Sequence, residues 1–228
     1  MNMTPISEPP TKFHTKPRAI IFDWDNTLVD SWVVIHDALN ATLHDFGMEN
    51  WSLDEAKSRI AHSMRDSFPT LFGDEWERAG EVFYGHFEKT HLERLSPLPE
   101  SAGVLDELSK MGIYLGIVSN KTGELLRLEV SHLGWDEMFG VVVGAGDAAR
   151  DKPATDPVEM VLLGSDIAMG PDVWFVGDTK IDVECAINAG CLSILVHENP
   201  PNAVEFGEFM PHWHTTRLST LSKLVKTL

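Results

Sequence analysis

The strongest constraint on the fold is a change of rhythm at Pro97. From there onward, short apolar runs ("IYLGIV", "FGVVVG", "DVWFVG" and "LSILV") alternate with segments whose apolar residues recur at helical spacing. A further run, "RAIIF", lies far upstream and ends at Asp23. Strands separated by helices of about 10 to 15 residues form βαβ units, which require a parallel sheet with helices on both faces. The sequence therefore predicts an α/β core that begins near Arg18, is interrupted, and resumes at Pro97.

Local signals place the elements. Ser101 is expected to cap a helix carrying Val104, Leu105, Leu108 and Met111 on one face, with Gly112 ending it. A second helix runs from Thr122 towards Gly134. Asp156 and Pro157 form an N-cap and first-turn pair for a third, which stops near Gly164. A fourth spans Ile181 to Ala189, and a strand around Trp213 and a helix reaching Leu228 complete the core. The interruption, residues 33–96, is nearly all helix: "SLDE" at Ser52–Glu55 is a capping box, and Trp76, Phe83 and Phe87 fall at helical spacing as packing residues. The expected organisation is a flexible tail over 1–17, a core over 18–32 and 97–228, and a helical insertion over 33–96.

Charge limits the partners. A formal net charge of −17 repels nucleic-acid phosphates and anionic membrane surfaces, so neither is expected to bind. It equally repels a phosphorylated metabolite, so a site for one must bring its own cations. Cys185 and Cys191 offer no disulfide framework or zinc spacing and read as small buried residues in a reducing cytoplasm. Met1–Pro17 contains four prolines and no apolar core of a signal peptide.

In open parallel sheets, ligands bind beyond the carboxyl ends of the strands. That edge receives Asp23 and Asp25 from "RAIIFDWD", Ser119 and Asn120 after "IYLGIV", Lys152 after "FGVVVG", and Asp178 with Asp182 after "DVWFVG". Singly, each is an ordinary cap, turn former or surface residue. Together they put carboxylates, a lysine and a hydroxyl at one rim. "DWDNTLVDS" also resembles the start of a calcium loop. That reading fails, because Leu28 stands at the glycine position and Val34 at the bidentate Glu position, and a strand precedes the motif. Asp23 and Asp25 pose their own problem: like charges about 4 Å apart repel by roughly 4 kcal/mol at an effective dielectric near 20.

"DWDNT", "VSN", "KP" and "GDTKID", in that order, resemble the four motifs of the haloacid dehalogenase-like hydrolases, over nearly the whole span from Arg18 to Leu228. "PLPESAGVLDELSKMGIYLGIVSNK" and "KPATDP" are similar to the phosphoglycolate phosphatase-like branch, in which a helical cap occupies the place of the insertion. The resemblance implies a Rossmann-like core with an inserted cap. It also implies a Mg²⁺-dependent phosphatase that hydrolyses a small phosphomonoester through an aspartyl-phosphate. Asp23 is then the nucleophile and Asp25 the general acid and base. Mg²⁺ is held by Asp23, the Asp25 carbonyl and Asp178, which offsets the crowded charge. Asp182 is a further metal-site residue, one that orients waters or pairs with Lys152. Lys152, the Ser119 hydroxyl and backbone N–H groups near Trp24, Asp25 and Asn120 hold the phosphate oxygens. Thr27 is expected to fix the turn by a side-chain hydrogen bond.

His62, Ser63 and Arg65 are the candidate cap contacts for substrate; Ala61 and His62 stand where similar proteins often carry a glycine-containing turn. His212 and His214 share a face if "HWHTT" is a strand, but two histidines make an incomplete metal site. Two other readings keep the fold: phosphoglucomutase-like transfer to a sugar phosphate, and a catalytically inactive binding protein.

Overall fold

The computed structural model describes residues 13–59 and 64–228, with their side chains except those of residues 58 and 64–66. In chain order the elements are β1 (Ala19–Phe22), β2 (Val29–Asp30), α1 (Trp32–Asp45), α2 (Leu53–Arg59), α3 (Met64–Phe72), α4 (Trp76–Arg94) and β3 (Ser96–Pro97). There follow α5 (Ser101–Lys110), β4 (Tyr114–Thr122), α6 (Gly123–His132), β5 (Val141–Ala145), α7 (Asp156–Val161) and β6 (Val173–Gly177). The chain ends with α8 (Lys180–Asn188), β7 (Leu192–Val196), α9 (Ala203–Phe206), β8 (Trp213–Thr215) and α10 (Ser219–Thr227). Two compact units result, residues 1–29 with 97–228, and residues 30–96.

The first unit is built on a six-stranded sheet in the order β5-β4-β1-β6-β7-β8, every neighbouring pair parallel. The chain builds outward from β1 through β4 to β5, then returns to the other side of β1 to place β6. The order reverses at β1, and in sheets of this kind ligands bind at that switch point. β1 and β6 are buried along their whole length, as expected of central parallel strands covered on both faces. A cluster including Ile21, Val118, Val143, Phe175 and Ala186 forms one layer of the core.

Several local expectations shift. Ser101 is the first residue of α5, not its cap, and its hydroxyl is buried without a hydrogen-bond partner. Thr155 precedes α7 in place of Asp156, because the Asp156 carboxylate turns to Arg150 at 2.7 Å and the helix begins one residue early. The chain is also packed ahead of Arg18: Phe13 is buried, edge-on to Trp174 at 4.9 Å and to Trp213 at 5.8 Å. An aromatic ring outweighs the polar, proline-containing sequence around it, since it packs against two buried tryptophans. Residues 1–12 of the expected tail lie outside the described residues.

The second unit is helical. Phe83 and Phe87 of α4 are buried and stacked at 6.0 Å, and Phe68 of α3 packs edge-on to Phe83 at 5.8 Å, so these rings serve as core. The Ser52 hydroxyl accepts the Glu55 N–H at 3.2 Å at the start of α2, one half of the expected capping box. His86 meets Asp45 at 2.8 Å and Arg94 meets Asp37 at 2.6 Å, joining α4 to α1.

Candidate active site

The site is assembled at the carboxyl rim of β1, β4 and β6. β1 ends at Phe22, but the Asp23 N–H donates to the Val176 carbonyl at 2.8 Å, extending the ladder by one residue and aiming Asp23 at the rim. Asn26 follows with φ 60°, a left-handed conformation that asparagine tolerates better than most residues. Its N–H donates to the Val29 carbonyl at 2.7 Å, and the Trp24 carbonyl accepts from Leu28 at 3.0 Å, closing a tight loop. Thr27 does not close this loop with its side chain. Its hydroxyl donates to Asp178 at 3.2 Å, tying the loop after β1 to the end of β6. The switch point places those two strand ends side by side, so the partner across the sheet is nearer than one within the turn.

Lys152 enters from the segment after β5. Asn120 grips its backbone on both sides, accepting the Lys152 N–H at 3.1 Å and donating to its carbonyl at 3.2 Å. The Lys152 ammonium then donates to Asp23 and to Asp182, each at 2.6 Å. The second oxygen of Asp182 accepts from the Thr179 N–H at 3.0 Å and the Thr179 hydroxyl at 2.6 Å, so Asp182 closes a capping box on α8 while holding the lysine. Asp182 can sit there because residue 177 is glycine: a methyl at Gly177 would overlap the Asp182 side chain.

Burial dominates the electrostatics. It pushes the Asp23 carboxyl up to about 7 against the pull of Lys152, with the Asp182 and Asp25 charges pushing further. Asp178 is likewise raised, by burial first and then by the charge on Asp23. Burial alone would lower Lys152, but Asp182 and Asp23 outweigh it and raise it, so the lysine is an ammonium and the strain rests on the acids. Asp23 and Asp178 thus both favour an added positive charge.

A second cation escapes the sequence reading. Lys121, at the end of β4, donates to Asp25 at 2.7 Å and to the buried Glu129 of α6 at 2.6 Å. The same Glu129 oxygen accepts the Trp24 indole N–H at 2.7 Å. A signal was present: a tryptophan between two aspartates, fully buried in the fold, needs an acceptor for its indole. Glu129 reads in sequence as one more charge on an amphipathic helix.

Against this geometry, residues 20–196 match the haloacid dehalogenase-like hydrolase family. The chain belongs to this family. It is 31% identical to a phosphoglycolate phosphatase of Aquifex aeolicus over 91% of this chain and 96% of that protein. The crystal structure of a hydrolase of the haloacid dehalogenase superfamily from Ehrlichia chaffeensis shares 29% identity with a TM-score of 0.64, covering 93% of this chain and 98% of that one. A haloacid dehalogenase-like hydrolase from Streptococcus pneumoniae shares the fold, with a TM-score of 0.80 at 22% identity, 91% of this chain and 98% of that one being covered.

The donors at this rim fit a divalent cation. Asp23, Asp178 and Asp182 present carboxylate oxygens within 4.8 Å of one another, a hard-oxygen set suited to Mg²⁺. The Asp25 carboxylate stands apart from that group, on Lys121. Ser119 is buried at the same rim, where its oxygen accepts the Lys121 N–H at 3.2 Å. His62 and Ser63 lie outside the described residues; Arg65 belongs to α3 by its backbone, and its side chain is not described. His212 and His214 are used elsewhere: His212 Nδ1 accepts the Ser193 N–H at 3.0 Å, and His214 bonds the His197 carbonyl at 2.8 Å.

Proposed function

We propose that this phosphoric monoester hydrolase is a Mg²⁺-dependent phosphatase of a small soluble phosphomonoester, phosphoglycolate phosphatase-like in substrate class. An Asp23 oxygen attacks phosphorus, the bond from phosphorus to the alcohol oxygen breaks, and Asp25 gives that oxygen its proton. Water then attacks the aspartyl-phosphate, its proton passes to Asp25, and release of inorganic phosphate restores Asp23. Lys152 and the Ser119 hydroxyl hold the phosphate oxygens, and Asn120 fixes Lys152 for that task. Asp23, Asp178 and the Asp25 carbonyl are the residues that would hold Mg²⁺, with Asp182 orienting Lys152 and water. When bound, Mg²⁺ supplies positive charge against the phosphate oxygens.

The helical unit is assigned the role of cap, with His62, Ser63 and Arg65 as its candidates for choosing the leaving group. A cytoplasmic setting suits two buried free cysteines, and among the described residues no helix is long and apolar enough to cross a membrane.

One observation carries this reading. The Lys152 ammonium bridges Asp23 and Asp182 beside Asp178, the juxtaposition of nucleophile, fixed cation and metal ligands that phosphoryl transfer requires. The test is a screen of phosphorylated metabolites for phosphate release with Mg²⁺, using Asp23→Asn as the blank. Release by the unmodified protein alone is expected. Equal release by the variant removes Asp23 from the chemistry, and accumulation of a sugar bisphosphate in place of phosphate identifies a mutase.

A further inference from the structure

Glu129 is a fully buried carboxylate with no part in the chemistry proposed above. Burying a carboxylate is unfavourable unless it is paired and hydrogen-bonded. On the inward face of α6 an apolar residue would avoid that cost. What Glu129 gains is position. A single oxygen, Oε2, holds the Trp24 indole at 2.7 Å and the Lys121 ammonium at 2.6 Å, and Lys121 reaches Asp25 at 2.7 Å. Trp24 is the residue between the two aspartates, so Glu129 grips their loop by the indole between them and, through Lys121, by the Asp25 side chain.

A lysine stem is flexible, and an ammonium tied only to Asp25 would leave that carboxylate several rotamers. Pinned between two carboxylates, with its own side chain 8% exposed, it leaves few. Trp135, edge-on to Trp24 at 5.8 Å, completes the packing around the indole. We propose that Glu129 is a positioning residue which, through Lys121 and Trp24, holds the Asp25 carboxylate where it meets the oxygen of the leaving alcohol. This rests on the reading of Asp25 as the general acid.

The experiment compares 2-phosphoglycolate, whose alcohol needs a proton to leave, with p-nitrophenyl phosphate, whose phenolate does not. Glu129→Gln is expected to lower kcat/KM, which reports departure of the leaving group and not the later hydrolysis that both substrates share, by at least about tenfold on 2-phosphoglycolate and by no more than about threefold on p-nitrophenyl phosphate. Adding Glu129→Gln to Lys121→Met should cost clearly less than the sum of the two single losses, since Glu129 acts in part through Lys121. Equal losses on both substrates, or additive losses in the pair, overturn the proposal.

If Glu129→Gln does not fold, the double variant Lys121→Met, Glu129→Leu leaves no unpaired buried charge between these two positions. The same selective loss is expected, and an unchanged ratio between the substrates overturns the proposal. Asp25→Asn separates the two levels of inference. If it lowers kcat/KM equally on both substrates, the acid reading falls and this one with it; if it discriminates while Glu129→Gln does not, only the role of Glu129 falls.

Discussion

Lys152 and Asp23, 129 positions apart in the chain, meet with an ammonium nitrogen 2.6 Å from a carboxylate oxygen, and Asp182 holds the same nitrogen at the same distance. One buried cation thereby keeps apart two acids that would otherwise repel. On the proposed reading the contact makes Lys152 structural and chemical at once, and its removal is expected to show on both counts.

Lys152→Met leaves Asp23 and Asp182 facing each other without their shared cation. Breaking one member out of a buried ion group costs roughly 3–5 kcal/mol. Urea unfolding should show a loss of that order, and phosphate release should vanish. A variant of unchanged stability would mean that the acids are neutral in the folded protein.

Chelation should abolish phosphate release and added Mg²⁺ should restore it. A cation bound only by the folded state also raises the unfolding temperature, by the equivalent of about 2.7 kcal/mol at a hundredfold excess over Kd. Scanning calorimetry with and without Mg²⁺ should show the rise, and Asp178→Asn should remove most of it, because Asp178 is one of three clustered carboxylates. A rise that survives in the variant places the cation elsewhere.

Gly177→Ala inserts a methyl group where the Asp182 side chain lies. Overpacking of this kind costs about 1–3 kcal/mol. Asp182 must shift, and Lys152 and the Thr179 cap shift with it, so turnover should fall further than stability alone explains. Parallel denaturation and steady-state kinetics check this, and wild-type turnover in the variant would show that Asp182 has freedom to move.

Burial pushes the Cys185 thiol up to about 12, and its S–H donates to the Ala154 carbonyl at 3.3 Å. At pH 8 almost none of it is thiolate, so iodoacetamide should leave Cys185 unmodified in the native protein and label it after denaturation. Mass spectrometry of the labelled peptide decides the matter, and rapid native labelling would reveal local opening of α8.

Much of the core was legible because parallel strands buried on both faces must be nearly continuous apolar runs, and "LSILV" lies at the observed bounds of β7. That Asp23, Asp178 and Asp182 gather at one rim with Lys152 was legible because the acids come within a few residues of those runs and Lys152 lies in the segment after β5. Helix starts drifted by a residue at Ser101 and Asp156, where a cap-forming side chain found a different use or none. Thr27 was assigned to its own turn because sequence shows near neighbours and conceals the strand across the sheet. Glu129 and Lys121 stayed hidden for a related reason: a charge at a helical position looks solvated until the indole facing it is known. Phe13 was masked by its polar surroundings.

β1 has only four residues, all of them buried, so no alternation of polar and apolar side chains records which way each should point. Its alignment with β6 is held at the two ends, by the Arg18 N–H on the Asp172 carbonyl at 2.9 Å and the Asp23 N–H on the Val176 carbonyl at 2.8 Å. A molecule that zipped this strand one step astray would keep its helical content and its circular dichroism while turning the Asp23 carboxylate inward. Ordinary folding assays would count it as sound, so the specific activity of a refolded batch is the readout that reports how faithfully this strand has paired.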